Sequence, residues 1–338
     1  MAQRLMQISL PDHAEEEIDD LLEGCDILGR WHDDQSRRRL LLQVIVSADE
    51  AEPLMDRLDQ WFSGSAHFRI LLLNIEAALP RPVIEEEAPP RESSSEEESD
   101  NRKGRISREE LYTEVTDSIG TSKMFVAMVV LSAIVTMVGL LRDDVAVLIG
   151  AMVIAPFLGP NVALALATTL GDASLARKAL KMNLTGLLIA IAFAVAAGAL
   201  LPIDIGIPAI VARTRIGFDD IILALAAGSA GTFAFTSGAS GAIIGVMVAV
   251  ALMPPLITFG MLLGAGSLSL SMNALLLTAA NIICVNLAGV ATFLAQGVAP
   301  RSWWEAKKAR KASLKAATAW VLLLAALMAI LVWTNLLF

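Results

Sequence analysis

A few neutral, oxygen-bearing side chains stand inside long apolar stretches of this sequence: Asn161, Thr168, Thr169, Thr232, Thr236, Ser237, Thr258, Asn281 and Asn286. Amide and hydroxyl oxygens, together with carbonyls released from a broken helix, suit a hard monovalent cation or a small polar solute. Two places of breakage are at hand. Pro156, Gly159 and Pro160 interrupt one apolar run, and Pro254-Pro255 interrupt another. Proline deletes a backbone N–H and frees the carbonyl four residues before it. Freed carbonyls at membrane depth are tolerated only where protein or water covers them. The candidate ion or solute pathway is therefore Pro156, Gly159, Pro160, Asn161, Thr236, Ser237, Pro254, Pro255, Asn281 and Asn286. A packing kink explains the prolines equally well, and a single intramembrane hydroxyl or amide more often bonds a neighbouring helix than a ligand. Asn281 and Asn286 are the stronger candidates, because an amide in hydrocarbon needs several partners.

Other chemistries lack their residues. His13, His32 and His67 all fall in the first 67 residues, and the apolar remainder holds one cysteine, Cys284. A haem, zinc or copper centre there would lack its usual ligands, so neither metal nor cofactor is expected. Gly238-Ala-Ser240-Gly matches the Gly-x-Ser-Gly of an intramembrane serine protease. That mechanism needs a base, and no membrane histidine exists to supply one. No catalytic residue and no enzyme activity are expected. No Lys, Arg, Asp or Glu lies mid-span either, which weighs against a proton relay.

The elements that must position these residues follow from the unequal composition. The chain has 338 residues, 55% of them hydrophobic, a mean hydropathy of +0.62 and a net charge of −9. From Met124 to Phe338 there are 12 Lys/Arg and 7 Asp/Glu, a net of +5; Met1 to Lys123 holds 14 and 28, a net of −14. A soluble enzyme is excluded, and so is a nucleic-acid partner, since neither part carries a dense basic face. The lipid bilayer is the first partner implied.

At roughly 20 apolar residues per span, the sequence predicts seven: Met124–Leu141, Val145–Leu170, Asn183–Leu201, Ile221–Phe235, Ala242–Leu263, Ala274–Ala295 and Ala317–Val332. Arg177, Lys178 and Lys181, then Arg301, Lys307, Lys308, Arg310, Lys311 and Lys315, mark two cytoplasmic loops by the positive-inside rule. The front part is then cytoplasmic and the C-terminus outside, in a multi-pass cell (inner) membrane protein. The apolar h-region of a cleaved signal peptide is not found. Asp172, at the end of the second span, reads as a solvated residue paired with Arg177 or Lys178.

The front part reads as a small domain, residues 1–79. Arg4–Leu10 alternates as a strand, His13–Glu23 is helical, and Asp26–Trp31 and Arg38–Val46 form a hairpin. Pro53 starts a second helix through Leu54, Leu58 and Phe62, and His67–Ile75 closes as a strand. The order βαββαβ is that of a ferredoxin-like domain. Residues 80–106, with the runs Glu85-Glu86-Glu87 and Glu96-Glu97-Glu98, predict a disordered acidic linker. Residues 107–123 predict an amphipathic juxtamembrane helix, with Ser107 and Glu110 as its capping box.

The transmembrane part, residues 124–338, echoes itself. Ile149-Gly-Ala-Met-Val-Ile-Ala-Pro-Phe-Leu-Gly-Pro160 aligns without gaps to Ile244-Gly-Val-Met-Val-Ala-Val-Ala-Leu-Met-Pro-Pro255, with five of twelve positions identical. Each copy sits in the second span of a three-span group, residues 124–201 and 219–296, followed by a last helix at 317–337. An odd number of spans forces the second group upside down. Inverted repeats with broken helices point to a secondary transporter. The fold class expected is thus an α-helical polytopic membrane protein with a 3+3 inverted repeat behind a ferredoxin-like α+β domain.

Ser107-Arg-Glu-Glu-Leu-Tyr112, the Ile149–Pro160 motif and Ala251-Leu-Met-Pro-Pro255 resemble the prokaryotic membrane family known as domain of unknown function 389, over roughly Ser107 to Gln296. The resemblance implies a multi-spanning membrane protein, often with a soluble N-terminal domain, and brings no established activity. Arg142-Asp143-Asp144 departs from the small polar residue that often precedes the second span in that family. Three functions remain open: a secondary transporter of an ion or small solute with a cytoplasmic regulatory domain, an oligomeric channel, or a non-transporting scaffold or sensor. Gly228, Gly231, Gly238 and Gly245 would permit close packing between protomers of a homo-oligomer.

Overall fold

The computed structural model describes residues 3–10, 18, 22, 27–33, 40–62, 65, 68–75, 108–120, 122–237, 241–298, 313–326 and 328–329. The linker at 80–106, the Gly238–Ser240 segment, Ser107 and the basic segment 301–311 lie outside the described residues. The chain divides into two compact units, Met1–Leu111 and Tyr112–Phe338.

The first unit is a four-stranded antiparallel sheet with one fully described helix. The strands are β1 (Gln3–Leu10), β2 (Ile27–Asp33), β3 (Leu40–Ser47) and β4 (Arg69–Asn74), in the spatial order β2-β3-β1-β4. Helix α1 (Ala48–Phe62) follows β3 directly. Ser47 accepts from the Glu50 N–H at 3.4 Å and so starts α1 earlier than Pro53, which lies inside the helix. Strand alternation puts Met6, Ile8, Leu10, Leu42, Val44 and Val46 on one face. Ala51, Leu54, Met55, Leu58 and Phe62 recur at helical spacing and bury against it. Of the expected His13–Glu23 helix only Ile18 and Leu22 are described, both buried in this core.

Helix α2 (Arg108–Ser118) contains the boundary between the units. On the first unit's side, Glu110 receives Arg4 Nε at 3.3 Å and Arg108 reaches Asp56 at 3.0 Å; the expected capping box needs Ser107, outside the described residues.

The second unit is helical: α3 (Lys123–Leu141), α4 (Val145–Ile154), α5 (Leu158–Leu170), α6 (Ala173–Leu200), α7 (Pro208–Val211), α8 (Phe218–Thr236), α9 (Gly241–Gly264), α10 (Leu268–Ala295) and α11 (Ser313–Ala326). Among the described residues, α3, α6, α8 and α10 are long and apolar enough to cross a membrane, and α4 with α5 makes a fifth if that pair, bent by 58°, is one span. Seven were expected. Large apolar side chains stand exposed on the outer helix faces, among them Leu184 and Leu188 on α6, Ile222 and Leu223 on α8, and Met124 on α3. Exposed apolar area on this scale suits contact with lipid or with another protein.

Helix α6 starts at Ala173, ten residues before the expected Asn183, because Asp172 is its N-cap. Arg177, Lys178 and Lys181 therefore stand on the exposed face of the first turns of α6, not in a loop.

The helices of residues 124–201 and 219–296 share one register. Lys123–Leu141 becomes Phe218–Thr236 when moved on by 95 residues, and Ala173–Leu200 becomes Leu268–Ala295. The middle elements, Val145 to Leu170 and Gly241 to Gly264, agree to within one residue at each end. Between the groups, α9 packs on α6 and α5 packs on α10. Both pairs run parallel: Gly260 and Gly264 meet Ala194 and Val195–Ala199 in rising order, while Asn161 and Ala165 meet Asn286 and Gly289. Gly228 is taken up inside the chain, where a Cβ would lie 2.8 Å from the Val285 backbone.

Candidate functional site

The first proline cluster breaks its span as the sequence predicts. Asp144 caps α4 by accepting from the N–H groups of Ala146 and Val147 at 2.9 and 3.2 Å. The helix runs to Ile154, and Ala155 is extended (φ −65°, ψ 121°). The residue before proline is pushed out of the helical region, so Pro156 accounts for that conformation. Pro160 falls in the first turn of α5, where its missing N–H has no helical partner to lose. A Cβ at Gly159 would lie 2.9 Å from Ser118 Oγ, so a side chain there would make the Ser118 hydroxyl turn away.

One turn beyond the break, three helices are joined by a line of amides. Asn161 Nδ2 of α5 donates to the Phe157 carbonyl at 2.7 Å and to Asn183 Oδ1 of α6 at 3.3 Å. Asn286 Nδ2 of α10 donates to Asn161 Oδ1 at 2.9 Å and to the Ile282 carbonyl at 2.8 Å. Asn161, Asn183 and Asn286 are all buried. Asn286 Oδ1 is buried and has no hydrogen-bond partner. An unmatched acceptor in so apolar a place costs roughly 1–3 kcal/mol.

Beside Asn161 and Asn183 lies a small cavity of about 10 Å³ with an apolar wall. Its lining is Phe157, Asn161, Asn183, Leu187, Leu252, Leu256, Thr278 and Ile282. These eight residues are four pairs. Phe157 and Leu252, Asn161 and Leu256, Asn183 and Thr278, and Leu187 and Ile282 each stand 95 positions apart, the spacing of Ile149 and Ile244.

Other expected site residues lie elsewhere. Pro254 and Pro255 do not break their span: both are inside α9, which continues from Gly241 to Gly264. Proline keeps a helical φ, so the loss there is confined to two backbone bonds in a helix held on both sides by α6 and α10. Thr236 donates to the Phe233 carbonyl and accepts from Gln296 Nε2 at 2.8 Å, tying the ends of α8 and α10. Ser237 is exposed and bonds the Ala234 carbonyl. Asn281 is buried on α10 but does not line the cavity. Thr168, Thr169, Thr232 and Thr278 each donate to the carbonyl four residues back, so their protons are spent within their own helices.

Asn183 and Thr278 were missed. Asn183 follows three basic residues and reads as the edge of a span; Thr278 sits in an unbroken apolar run. The 95-residue spacing of the repeat, carried past the motif, was the signal that pairs them.

Asp172 is likewise not ion-paired to Arg177, whose Nε bonds the Ala173 carbonyl. Asp172 Oδ1 accepts from the Ser174 and Leu175 N–H groups, and Oδ2 accepts from the Tyr112 hydroxyl at 2.9 Å. Partial burial works to raise the Asp172 carboxyl, but these hydrogen bonds outweigh it and hold the group below its usual 3.8. Burial, then the bond and the charge of Asp172, push the Tyr112 phenol above 10.0. The bond to Asp172 is thus fully present below pH 10.0 and is lost as pH rises through the higher folded value. Tyr112 is the one tyrosine of the chain, so its phenolate absorbance reports on it alone. Its midpoint is expected above 10.0 in the native protein and lower in Asp172→Asn; equal midpoints would exclude the contact.

Asp143, in the left-handed region at φ 51°, accepts from the Ala209 N–H at 2.8 Å. The Arg142-Asp143-Asp144 corner is therefore a joint between α3, α4 and α7.

The chain is 36% identical over 334 residues to the uncharacterized protein MJ0678 of Methanocaldococcus jannaschii, covering 98% of this chain and 100% of that protein. No solved structure matches it. The family model for Domain of unknown function (DUF389) matches residues 152–287, a stretch containing the Ala155–Phe157 break, the amide line and all eight cavity residues. The membrane-capable helices, the near full-length relative and the family match together make this chain a member of the DUF389 family.

Proposed function

We propose that this protein is a membrane translocator of a small ion or polar solute, most simply a secondary transporter, built from two inverted three-span repeats. The cavity carries the reading. Four residues of each group line it, each paired with its counterpart 95 positions away, as expected of a site on a pseudo-two-fold axis between repeats. The contacts between groups support the same axis. Gly260 of α9 faces Ala194 of α6, and Ala165 of α5 faces Gly289 of α10. Each residue of one pair has its 95-residue counterpart in the other, with glycine and alanine exchanged.

The occupant is small, since the cavity holds about 10 Å³. Its wall is apolar in this state, so a polar occupant requires the amides of Asn161 and Asn183 to turn into it. The front domain is a ferredoxin-like module on the cytoplasmic side with a regulatory role. Its strand order β2-β3-β1-β4 supports that topology.

The test is thermal unfolding of the detergent-purified protein with lithium, sodium, potassium, ammonium and a panel of small neutral solutes. One class is expected to stabilise saturably, by about 2.7 kcal/mol at a hundredfold excess over Kd. That increment should be lost in Asn183→Ala, and the same class should cross proteoliposome membranes. A panel without any stabilising ligand would favour a scaffold or sensor instead.

A further inference from the structure

Resting on the repeat reading above, we infer that the two repeats exchange conformations: a second state has α9 broken at Val250–Leu252 and the α4–α5 span straightened. Among the described residues the two middle elements differ. The first is bent by 58° at Ala155–Phe157, whereas its counterpart α9 runs as one helix from Gly241 to Gly264. If two equivalent halves hold different shapes around a shared site, reversing their roles gives a second arrangement with similar local chemistry.

The sequence of α9 is prepared for that break. Moving Ala155, Pro156 and Phe157 on by 95 residues lands on Val250, Ala251 and Leu252. Pro254 and Pro255 supply no N–H, so the carbonyls they would have bonded, four residues back, are those of Val250 and Ala251. The helix is therefore already missing two successive bonds at the counterpart of the observed break. The second half-helix, by analogy with Leu158, would begin at Met253. That puts both prolines in its first turn, where an absent N–H is harmless. Leu252 and Leu256, which line the cavity across this point, would move as Phe157 and Asn161 must have.

The experiment measures the two spans separately by pulsed dipolar spectroscopy of nitroxide pairs in lipid nanodiscs, in a Cys25→Ser, Cys284→Ala background. One pair, Ala242→Cys with Ala265→Cys, reports α9; the other, Val145→Cys with Leu170→Cys, reports α4–α5. At 1.5 Å rise per residue, straight α9 spans about 35 Å, and a like bend at its middle shortens it by about 4 Å. The native protein is expected to show both α9 distances. Pro156→Ala, Pro160→Ala should raise the short α9 population severalfold and lengthen the α4–α5 distance, while Pro254→Ala, Pro255→Ala should abolish the short one. A single long α9 distance in the native protein and in the first variant would overturn the exchange, as would simultaneous shortening of both spans. Solute uptake without α9 shortening sinks the exchange and leaves transport standing. Shortening with no solute moved does the reverse.

Discussion

Gly198→Val is expected to prevent the transmembrane unit from assembling. A Cβ at Gly198 would collide with the Met261 backbone carbonyl, and one at Gly264 with the Val195 carbonyl. Both obstacles are main chain, which has no rotamer to give way, so the only relief is separation of α6 from α9. That contact matters more in lipid than in water. Apolar side chains gain little by leaving hydrocarbon for a protein interior, so close backbone approach through small residues and interhelical hydrogen bonds must hold the bundle. Overpacking a tight site costs about 1–3 kcal/mol and occasionally more; with two main chains in collision the upper end applies. Gly150 on α4 is the control, because a Cβ there meets nothing within 4 Å. Gly150→Ala should be neutral or stabilise by up to about 1 kcal/mol. Fluorescence-detected gel filtration after a heating series separates the two: Gly198→Val should aggregate well below the native protein, and Gly150→Ala should follow it or exceed it. Equal curves would show that α6 and α9 do not cross at Gly198.

Asn161→Leu carries the second large effect. The substitution strands the Asn183 carbonyl oxygen and removes one bond from Asn286 and one from the Phe157 carbonyl. Interhelical hydrogen bonds in membranes average about 0.6 kcal/mol and reach about 1.7. With three bonds lost and a buried acceptor orphaned, a cost of about 2–3 kcal/mol is expected. Asn286→Leu should cost less, since it also deletes Oδ1, an acceptor the native protein leaves unmatched. The double variant should fall short of the sum, because the two side chains share a bond. Unfolding midpoints in detergent, converted to free energy, give the order. If Asn286→Leu proves the more damaging, Oδ1 has a partner in the membrane and its loss outweighs the relief.

Much of this arrangement is legible in the sequence. The unequal charge separates a polar front part from an apolar remainder, and the Pro156–Pro160 cluster marks a real break because proline constrains both itself and its predecessor. The cost of an amide in hydrocarbon singles out Asn281 and Asn286; Asn286 stands in the amide line, Asn281 does not line the cavity, and Asn161 is a candidate through its place beside the prolines. The same logic failed at Pro254-Pro255: a proline in a sequence removes a bond whether or not the chain bends, and neighbouring helices decide the rest. Helix starts were misplaced for a related reason. Arg177, Lys178 and Lys181 read as a loop because charge is expensive inside a membrane, yet a helix continues past the hydrocarbon as readily as it ends there. Asp172 was assigned to an ion pair because charge is visible in a sequence, whereas the two free N–H groups of a helix start are not. Asn183 and Thr278 have no local signal and become visible only through the counterpart spacing.

Helix α6 also sets how this protein meets membranes of different thickness. Its 28 residues extend about 42 Å, while hydrocarbon is about 30 Å deep. The excess of about 12 Å is eight residues or so, and Arg177, Lys178 and Lys181 all lie on the first nine, Ala173 to Lys181. These long cationic side chains can rise to the phosphate layer while their methylene stems stay among acyl chains. A thicker bilayer can take in part of that reserve and a thinner one can release it, at a cost of only fractions of a kcal/mol per Å. Lipid chain length is therefore a variable this helix can absorb without changing how it packs against α9.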